Sequence, residues 1–437
     1  LYTVRSLGVS GGARKRAKAL VSLQEEVRTA FKEGWFTGGR VSVSGQLQLY
    51  GARLHGDWGY SLNGKNIDIC LPDSSGKVVC QDLANTPPEV RQGLITGSID
   101  ARTCDPSNDP LLCQNGKPVS TVCPIWGTPP PDDNRPCWDS LAGRMATVST
   151  ATRVPAPSLA DLWRTYLGLG LADDPYSALA PATCQYTVAD ESALRSVLAG
   201  AQGTGASICV RGNLTLSSPL ALKGVSLYVG GDVNTDGRAS LSLEGARLVA
   251  RGNVNLSGPV SASQGQLLAS RALNFNSGAT GTFDRSTVYG KQGLNFSEAT
   301  TFESSKVFSG ASINFNGSRR PLFAGNSLLA TAESMTFNGS LKSAQGASPL
   351  LVSGGNVTFN GSYANPESAS FIWTRGKVVF NGNTTFRGGI ASGGGVDVSP
   401  SADGIVVNGG LSLYKTNLFN EALPVFVLRK AEISWQY

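Results

Sequence analysis

Residues 313–318 read Ile-Asn-Phe-Asn-Gly-Ser, and similar stretches stand at 273–277 (Leu-Asn-Phe-Asn-Ser) and 294–297 (Leu-Asn-Phe-Ser). Each begins with an apolar anchor, and the anchors recur at intervals of 19, 21, 19, 21, 19, 22, 22 and 21 residues. Alternation of large apolar and small polar residues predicts a strand with one buried face. The anchors are Leu214, Val233, Val254, Leu273, Leu294, Ile313, Met335, Val357 and Val378.

Two further apolar rows share this period. The second row holds Leu227, Leu248, Leu267, Val288, Val307, Leu328, Leu350, Ile372 and Ile390, and the third holds Phe283, Phe302, Phe323, Leu341, Tyr363 and Phe386. Three short strands in every ~20 residues predict a parallel β-solenoid, whereas the pattern of leucine-rich repeats is absent. With stacked strands about 4.8 Å apart, roughly ten coils would form a rod about 45–50 Å long. The Asn or Ser after each Phe suits a sharp corner, and stacked Asn side chains can form a hydrogen-bonded ladder.

Composition is typical of an extracellular, turn-rich β protein: 53 of the 437 residues are Gly and only 16% are charged. His55 is the single histidine, which disfavours catalytic triads and His-rich metal sites. An even number of cysteines between turn residues favours disulfides in an oxidising compartment, with sequential pairing preferred. Zinc is the alternative, but no C-x-x-C pair occurs. The eight cysteines are Cys70, Cys80, Cys104, Cys113, Cys123, Cys137, Cys184 and Cys209.

The part of the chain before the repeat predicts a separate module. Residues 13–33 have the apolar spacing of an amphipathic helix, and residues 40–69 alternate as hairpin strands. A cysteine-rich insertion follows at 70–140. Two helices are predicted next, one over 158–169 and one that begins at Glu191 after the N-cap Asp190.

After the repeat, residues 423–436 form two short apolar stretches that do not follow the period, and we expect them to hydrogen-bond to strands within residues 40–70. The predicted organisation is therefore an N-terminal module over 1–209, a β-solenoid over 210–418, and C-terminal strands over 419–437 that return to the first module.

A helix leading into an antiparallel sheet, disulfides and returning C-terminal strands together resemble a type IV pilin that lacks its N-terminal apolar half-helix. With the coil motifs Asn274–Ser277, Asn314–Ser318 and Phe337–Ser340, the chain is similar to the large competence-associated pilins of Thermus, which carry an inserted β-solenoid. The resemblance implies a mainly β protein in which a β-solenoid is inserted into a pilin-like α+β domain. It implies a place at the pilus tip and passage through the inner membrane and periplasm before assembly. The implied partners are other minor pilins and double-stranded DNA, taken up in transformation, with no cofactor.

Charge is unevenly distributed along the chain. Residues 210–420 contain 16 Lys and Arg against 10 Asp and Glu, whereas the remainder contains 21 of each. Five cations recur near the anchors, where stacking would align them along one edge of the rod, and a sixth directly precedes the last anchor. Such a row can follow a phosphate backbone, although solubilising charge is the alternative. The candidate DNA-binding residues are Arg211, Arg251, Arg271, Lys291, Arg375 and Lys377.

A further row beside the second strand of each coil is apolar, and alternation places it on the outside. A continuous exposed apolar stripe is unusual, so we expect another part of this chain to cover it; otherwise it would meet bases or a partner protein. The row comprises Tyr228, Val249, Leu268, Tyr289, Phe308, Leu329, Leu351 and Trp373.

Two chemical alternatives have weaker support. Asp232, Asn234 and Asp236 begin a calcium-loop pattern, but the twelfth position is Leu243 where an acid is required. β-Solenoids include polysaccharide-cleaving enzymes, whose catalysis needs clustered carboxylates, whereas the acids here are scattered over different coils. The sequence therefore predicts a non-enzymatic protein, with a polysaccharide-binding adhesin and a polymer-forming rod as alternatives.

Overall fold

The computed structural model shows a mainly β chain, with 49% strand and 10% helix, that contains a parallel β-solenoid of about 12 turns. It describes residues 2–10, 13–29, 34–50, 52–56, 60–62, 67–82, 85, 95–98, 113–114, 117–118, 144–148, 157–317, 322–339, 341–364, 370–382, 384–399, 405–408 and 425–436. Two compact units are present: unit 1 is Leu1–Pro155 with Gly388–Tyr437, and unit 2 is Ala156–Arg387. Among the described residues, none of the helices is both long and apolar enough to cross a membrane.

Unit 2 contains the repeat, and each coil contributes one strand to each of three parallel sheets. The first sheet comprises Tyr186–Val188, Ser207–Val210, Ser226–Val229, Arg247–Ala250, Gln266–Ala269, Thr287–Gly290, Lys306–Ser309, Leu328–Thr331, Leu350–Ser353 and Ser370–Thr374. The second comprises Leu214–Leu216, Val233–Thr235, Val254–Leu256, Leu273–Phe275, Leu294–Phe296, Ile313–Phe315, Met335–Phe337, Val357–Phe359 and Lys377–Phe380. The third comprises Leu220–Lys223, Leu241–Glu244, Val260–Ser263, Gly281–Asp284, Thr300–Glu303, Leu322–Ala324, Leu341–Ser343 and Tyr363–Ala364.

The predicted anchors stack in register through the second sheet, which confirms the solenoid. Aromatic side chains fill the interior between the sheets. Phe296 and Phe315 stack with ring centroids 4.8 Å apart, and Phe315 and Phe337 with centroids 4.9 Å apart. Phe302 of the third sheet meets this column edge-on, 6.3 Å from Phe315. Burying each such ring contributes about 1.5–3 kcal/mol, so the column is a main source of stability.

Three helices precede or join the coils of unit 2: α1 is Leu159–Leu167, α2 is Pro175–Leu179 and α3 is Glu191–Ala201. The helices predicted over 158–169 and from Glu191 are therefore present, as α1 and α3. At α3, the Asp190 side chain accepts a hydrogen bond of 2.9 Å from the Ala193 N–H, as the capping pattern predicted.

The segment 157–182, which we name the strap, covers the outer face of the first sheet. Trp163 of α1 is completely buried and meets Phe308 edge-on, with ring centroids 4.9 Å apart. Further along, the Tyr176 N–H donates to the Ser270 hydroxyl at 3.2 Å. The expectation that this chain covers its own outward apolar row is confirmed. Because the strap packs on the repeat, the compact unit begins at Ala156, whereas the sequence placed the solenoid boundary at residue 210.

The outward row differs from the prediction in two coils. Leu329 and Leu351 pair in register with Val307, an inward position, and the outward positions beside Phe308 hold Ala330 and Val352. The assignments of Leu328 and Leu350 to the inward row were wrong in the same way. These strands are buried at every position and begin with three consecutive apolar residues, so alternation does not show which residues face inward, and a slip of one residue exchanges the two faces.

Unit 1 also contains parallel coils. Its strands are Tyr2–Ser10, Ala13–Thr29, Gly34–Thr37, Arg40–Val43, Leu47–Tyr50, Arg53–Gly56, Tyr60–Leu62, Ile67–Pro72, Val78–Asp82, Ile95–Ser98, Cys113–Gln114, Lys117–Pro118, Arg144–Val148, Arg387–Ser392, Gly395–Val398, Ile405–Asn408 and Val425–Gln436. Within residues 34–72, Trp35 pairs with Leu54, Val41 with Tyr60 and Leu47 with Ile67, all in parallel.

The hairpin prediction for residues 40–69 was therefore wrong: these strands form solenoid coils. Alternation shows that one face of a strand is buried but not in which direction its neighbour runs. They also pair in parallel with strands from residues 388–408, as Trp35 does with Ile390 and Val41 with Val396. Trp35, Phe36 and Leu54, in the interior of these coils, are at most 1% exposed.

Two predictions at the chain ends were also wrong. Residues 13–33 were expected to be helical, but Ala13–Thr29 is a strand that pairs antiparallel with Tyr2–Ser10. The two C-terminal apolar stretches, which were expected to bond to residues 40–70, form one continuous strand, Val425–Gln436, which pairs with Ala13–Thr29 and Arg144–Val148. Cross-strand pairing overrides local helix propensity here. The sequence permits this, since apolar residues also alternate from Ala17 to Leu23.

Two disulfides are formed, Cys70–Cys80 and Cys184–Cys209, and both join cysteines that are consecutive in the sequence. The second closes a segment of 25 residues that contains α3, as the sequence predicted. The first joins Ile67–Pro72 to the antiparallel strand Val78–Asp82. The pairing of Cys104, Cys113, Cys123 and Cys137 lies outside the described residues, as does most of the predicted insertion.

Candidate nucleic-acid interface

The candidate DNA-binding residues lie at one corner of the coil, where the chain passes from the first sheet to the second. The Arg251 N–H donates to the Val229 carbonyl at 2.9 Å, and the Lys291 N–H donates to the Ala269 carbonyl at 3.0 Å. The Arg375 N–H makes the equivalent bond to Ser353 at 3.1 Å. These matching bonds give Arg251, Lys291 and Arg375 one structural position in different coils. Arg271 lies one residue further along, since its N–H donates to the Gly252 carbonyl at 3.3 Å, and Lys377 begins the strand Lys377–Phe380. We name the set Arg211, Arg251, Arg271, Lys291, Arg375 and Lys377 the basic ridge.

Side-chain bonds between coils hold this corner in place. The Asn213 Oδ1 accepts from the Asp232 N–H at 2.8 Å, and the Asp232 Oδ1 accepts from the Asn253 N–H at 2.7 Å. In the next coil, the Asn253 Oδ1 accepts a hydrogen bond from the Ala272 N–H at 3.2 Å. The close approach requires a glycine, because a Cβ added to Gly252 would lie 2.0 Å from the Asp232 Oδ1. The backbone beneath the basic ridge is thus fixed by its own hydrogen bonds.

The cations of the ridge fall into two groups. Arg211, Arg251 and Arg271 are exposed, and within the described part of the chain their side chains have no hydrogen-bond or ion-pair partner. In contrast, the Lys291 Nζ donates to the Ala172 carbonyl of the strap at 2.8 Å, and an Arg375 guanidinium nitrogen lies 3.4 Å from the Pro157 carbonyl. Lys377 is exposed, and its backbone N–H donates to the Asn356 Oδ1 at 2.8 Å. The first half of the ridge therefore offers the unengaged charge.

The strap also brings negative charge to the ridge at Lys291. Burial by itself raises the pKa of Asp174, but hydrogen bonds from Ser177 and Ser270 and the charge of Lys291 outweigh it and lower the pKa below its usual value. Asp174 consequently stays ionised at neutral pH, which reduces the positive potential on the strap side of the ridge.

On the other side of the ridge, the second sheet presents a row of stacked amides. The Nδ2 of Asn255 donates to the Oδ1 of Asn234 at 2.9 Å, and Asn274, Asn295 and Asn314 each repeat the bond to the preceding coil at 2.9, 2.8 and 3.1 Å. We name these five residues the amide ladder. They occupy the middle of three-residue strands whose first and third residues are buried, so they face outward. A second series, Asn316, Asn338, Asn360 and Asn381, follows the far corner of this sheet and is named the corner ladder.

The weak calcium candidates do not assemble into one site. The Oδ1 of Asp232 holds the next coil, the Oδ1 of Asn234 accepts from the amide ladder, and the Oδ1 of Asp236 caps the N–H groups of Arg238 and Ala239. No group of three or more metal-ligating Asp, Glu, His or Cys side chains occurs in the described ranges.

A polar groove at the N-terminal end of the solenoid contains a strongly perturbed carboxylate that the sequence did not single out. Burial raises the pKa of Glu191, but the Ser217 N–H, Arg195 and the hydroxyls of Ser217 and Ser218 donate to it and lower the pKa to about 2. Both carboxylate oxygens accept hydrogen bonds, from Arg195 and Ser218 on one and from Ser217 on the other. Glu191 therefore ties α3 to the first coil, and such a low pKa does not suit a general acid or base.

Acid should weaken this tie. A carboxylate whose pKa is depressed on folding stabilises the fold above its unfolded pKa, and that contribution is lost as pH falls from about 4.5 to about 2. We expect up to about 3 kcal/mol of the stability around α3 to disappear over this window, measured by hydrogen exchange of α3 amides. Glu191→Gln should remove most of that pH dependence. An equal acid response in the wild type and the variant would assign it to another group.

The basic ridge could be found from sequence because each member lies within three residues before an anchor, and Arg211, Arg251, Lys291 and Arg375 lie three residues before theirs. The strap carbonyls of Ala172 and Pro157 could not, since neither residue type nor spacing marks them. Comparison of the chain with protein-family models, curated proteins and solved structures finds no match.

Proposed function

We propose that this chain is a non-enzymatic receptor that binds double-stranded DNA along the basic ridge. The observation that carries the proposal is the stacking of cations at one corner, with the side chains of Arg211, Arg251 and Arg271 exposed and unengaged. Guanidinium groups along one corner can contact phosphates without reading bases, so binding is sequence-tolerant and salt-dependent.

The charges on the third sheet support this choice of face. Lys223 pairs with Glu244 at 2.9 Å, and Arg285 pairs with Asp284 at 2.8 Å. These cations are neutralised by adjacent acids, whereas those of the first half of the ridge are not. Lys342 is the one exposed cation described on the third sheet without such a partner, so that sheet offers less unpaired positive charge than the first half of the ridge.

The alternatives receive less support. A polymer-forming rod needs open ends for stacking, but α3 covers the first coil of unit 2, where Leu194 and Leu198 are buried and Arg195 donates to the Ser218 and Pro219 carbonyls. A polysaccharide-binding adhesin would use neutral hydrogen bonding, and its affinity would show little salt dependence. A cleavage enzyme would need carboxylates with adjusted pKa values, and Glu191 is held as a structural anion.

The proposed location is the tip of a type IV pilus, together with other minor pilins, after passage through the inner membrane and periplasm. This placement rests on the sequence resemblance, and the helix that carried part of that resemblance is a strand in the structure. The two disulfides support an oxidising compartment.

Binding of a short mixed-sequence DNA duplex, measured as a function of salt, tests the receptor function. Each phosphate contact contributes about −0.9 to the slope of log affinity against log salt. Three unengaged arginines should give a slope of about −2.7, and all six cations would give about −5. Replacing Arg211, Arg251 and Arg271 by Gln should flatten the slope by about 2.7 units and lower affinity for every sequence tested.

Replacing Lys291 and Arg375 by Gln should change the slope less, because the strap already engages both side chains. Arg285→Gln is the matched control on the third sheet and should leave binding unchanged. Wild-type protein with no measurable DNA binding, or a triple variant with the wild-type slope, would refute the proposed function.

A further inference from the structure

Where it meets the strap, at Lys291 and Arg375, the basic ridge is open on one side only. Toward the first sheet, the strap lies against it, and the Ala172 carbonyl accepts from Lys291. Asp174 adds negative charge on that side and interacts with Lys291. A phosphate backbone is repelled there both by charge and by the volume of the strap. Toward the second sheet, the Asp232 carboxylate is hydrogen-bonded to the Asn253 N–H, and the next outward row is the uncharged amide ladder.

The amide ladder retains hydrogen-bonding capacity. A side-chain amide has two N–H donors and a carbonyl oxygen with two acceptor positions. In Asn255, Asn274 and Asn295, the ladder uses one donor and one acceptor of each amide. No other hydrogen bond engages these three side chains within the described residues, so each keeps one N–H and one acceptor position. Outward-facing strand positions give those groups access to a ligand.

The ladder is also close to the cations. Asn255 follows Arg251 by four residues, Asn295 follows Lys291 by four, and Asn274 follows Arg271 by three. At about 3.3 Å per residue, the Cα atoms of a ridge residue and its ladder residue are no more than about 13 Å apart. Parallel register repeats this pairing from coil to coil. Cations and neutral donors therefore form two adjacent parallel rows.

We propose that the amide ladder is the second half of the DNA-binding surface, where Asn255, Asn274 and Asn295 hydrogen-bond the sugar–phosphate backbone of a duplex held by the basic ridge. This inference rests on the proposed function. Amide side chains commonly contact phosphate and sugar oxygens in protein–DNA complexes. Because these bonds displace no counterions, the ladder contributes affinity that does not change with salt.

The first experiment separates the two rows by their salt response. Asn255, Asn274 and Asn295 are replaced together by Val, which occupies the same row at Val379 and has no hydrogen-bonding group. We expect affinity for a short mixed-sequence DNA duplex to fall about tenfold or more, with an unchanged salt slope, because the lost hydrogen bonds release no counterions. The matched control replaces Asn338 and Asn360 of the corner ladder by Val and should leave affinity unchanged.

A second experiment tests for a gain in DNA affinity, a result that damage to the fold would not produce. Asn274→Lys should steepen the salt slope by about 0.9 and raise affinity at low salt, because it places a cation in the ladder. Thr282→Lys adds the same charge in the same coil, on the third sheet, and should leave the slope unchanged.

The outcomes distinguish the two proposals. Wild-type protein that does not bind duplex DNA overturns the receptor function together with this inference. DNA binding that depends on the ridge arginines but is unaffected by the ladder substitutions overturns the inference alone. Equal losses from the ladder and corner variants, or equal slopes for Asn274→Lys and Thr282→Lys, also overturn it.

Discussion

Phe315→Ala is expected to destabilise the middle coils of unit 2 by about 3–5 kcal/mol. The ring is only 2% exposed and lies between Phe296 and Phe337, with centroids 4.8 and 4.9 Å away. Phe302 and Phe323 also meet it edge-on. Its loss leaves a cavity that rigidly stacked strands cannot close, so the cost includes both lost burial and empty space.

Hydrogen exchange can locate the effect. Coils of a solenoid interact mainly with their neighbours, so amides in Leu294–Phe296 and Met335–Phe337 should exchange about a hundredfold faster or more. Amides in Leu214–Leu216, at the first coil, should change little. Phe315→Leu retains most of the volume and should cost less than about 1.5 kcal/mol. Uniform acceleration over all coils would show that unit 2 unfolds as one cooperative block instead.

The parts of the fold that could be predicted are those with a repeated physical cause. A stack of inward Phe residues requires a constant number of residues per coil, which is why the anchor spacing identified the second sheet. The same spacing exists at the other end of the chain, where Trp35 and Leu54, or Val41 and Tyr60, are 19 residues apart. This 19-residue spacing is visible in the sequence. However, it repeats only once there, and strands joined by Gly-rich turns also fit β-hairpins.

The errors arose where local patterns permit two structures. Ala13–Thr29 contains both a helical and an alternating arrangement of apolar residues, and its partners at both chain ends decide between them. In Leu328–Thr331 both faces of the strand are buried, and its first three residues are all apolar. Alternation in the sequence therefore does not show which residues face inward. Coils of 22 residues in this region then shift the register by one position relative to the preceding coils.

The candidate site shows the same division. Positions of the cations along the corner follow from their distance to the anchors, and the structure preserves that order. Whether a cation is free to bind a ligand could not be predicted from the sequence. It depends on backbone carbonyls of the strap, which is distant in sequence. Lys291 and Ala172 are separated by 119 residues, and no residue pattern relates them.

Trp163→Ala is expected to release the strap from the first sheet. The indole is completely buried against Tyr289 and Phe308, with ring centroids 6.3 and 4.9 Å away. Truncating a buried Trp costs about 3–5 kcal/mol. Because the strap lies on the outside of completed coils, that cost should appear as local opening of the strap rather than as unfolding of the solenoid. Limited proteolysis within residues 168–174 should become at least about a hundredfold faster.

Two further readouts identify the open state. Burial raises the pKa of Tyr289, so opening should lower that pKa toward its usual value, which alkaline absorbance titration detects. Opening also frees Lys291 from the Ala172 carbonyl, so the DNA salt slope should steepen by about 0.9. Arg164→Ala is the matched control on the same helix, because that side chain is 73% exposed and its ion pair with Asp161 contributes little. If both variants were cut at the wild-type rate, Trp163 would not be what holds the strap in place.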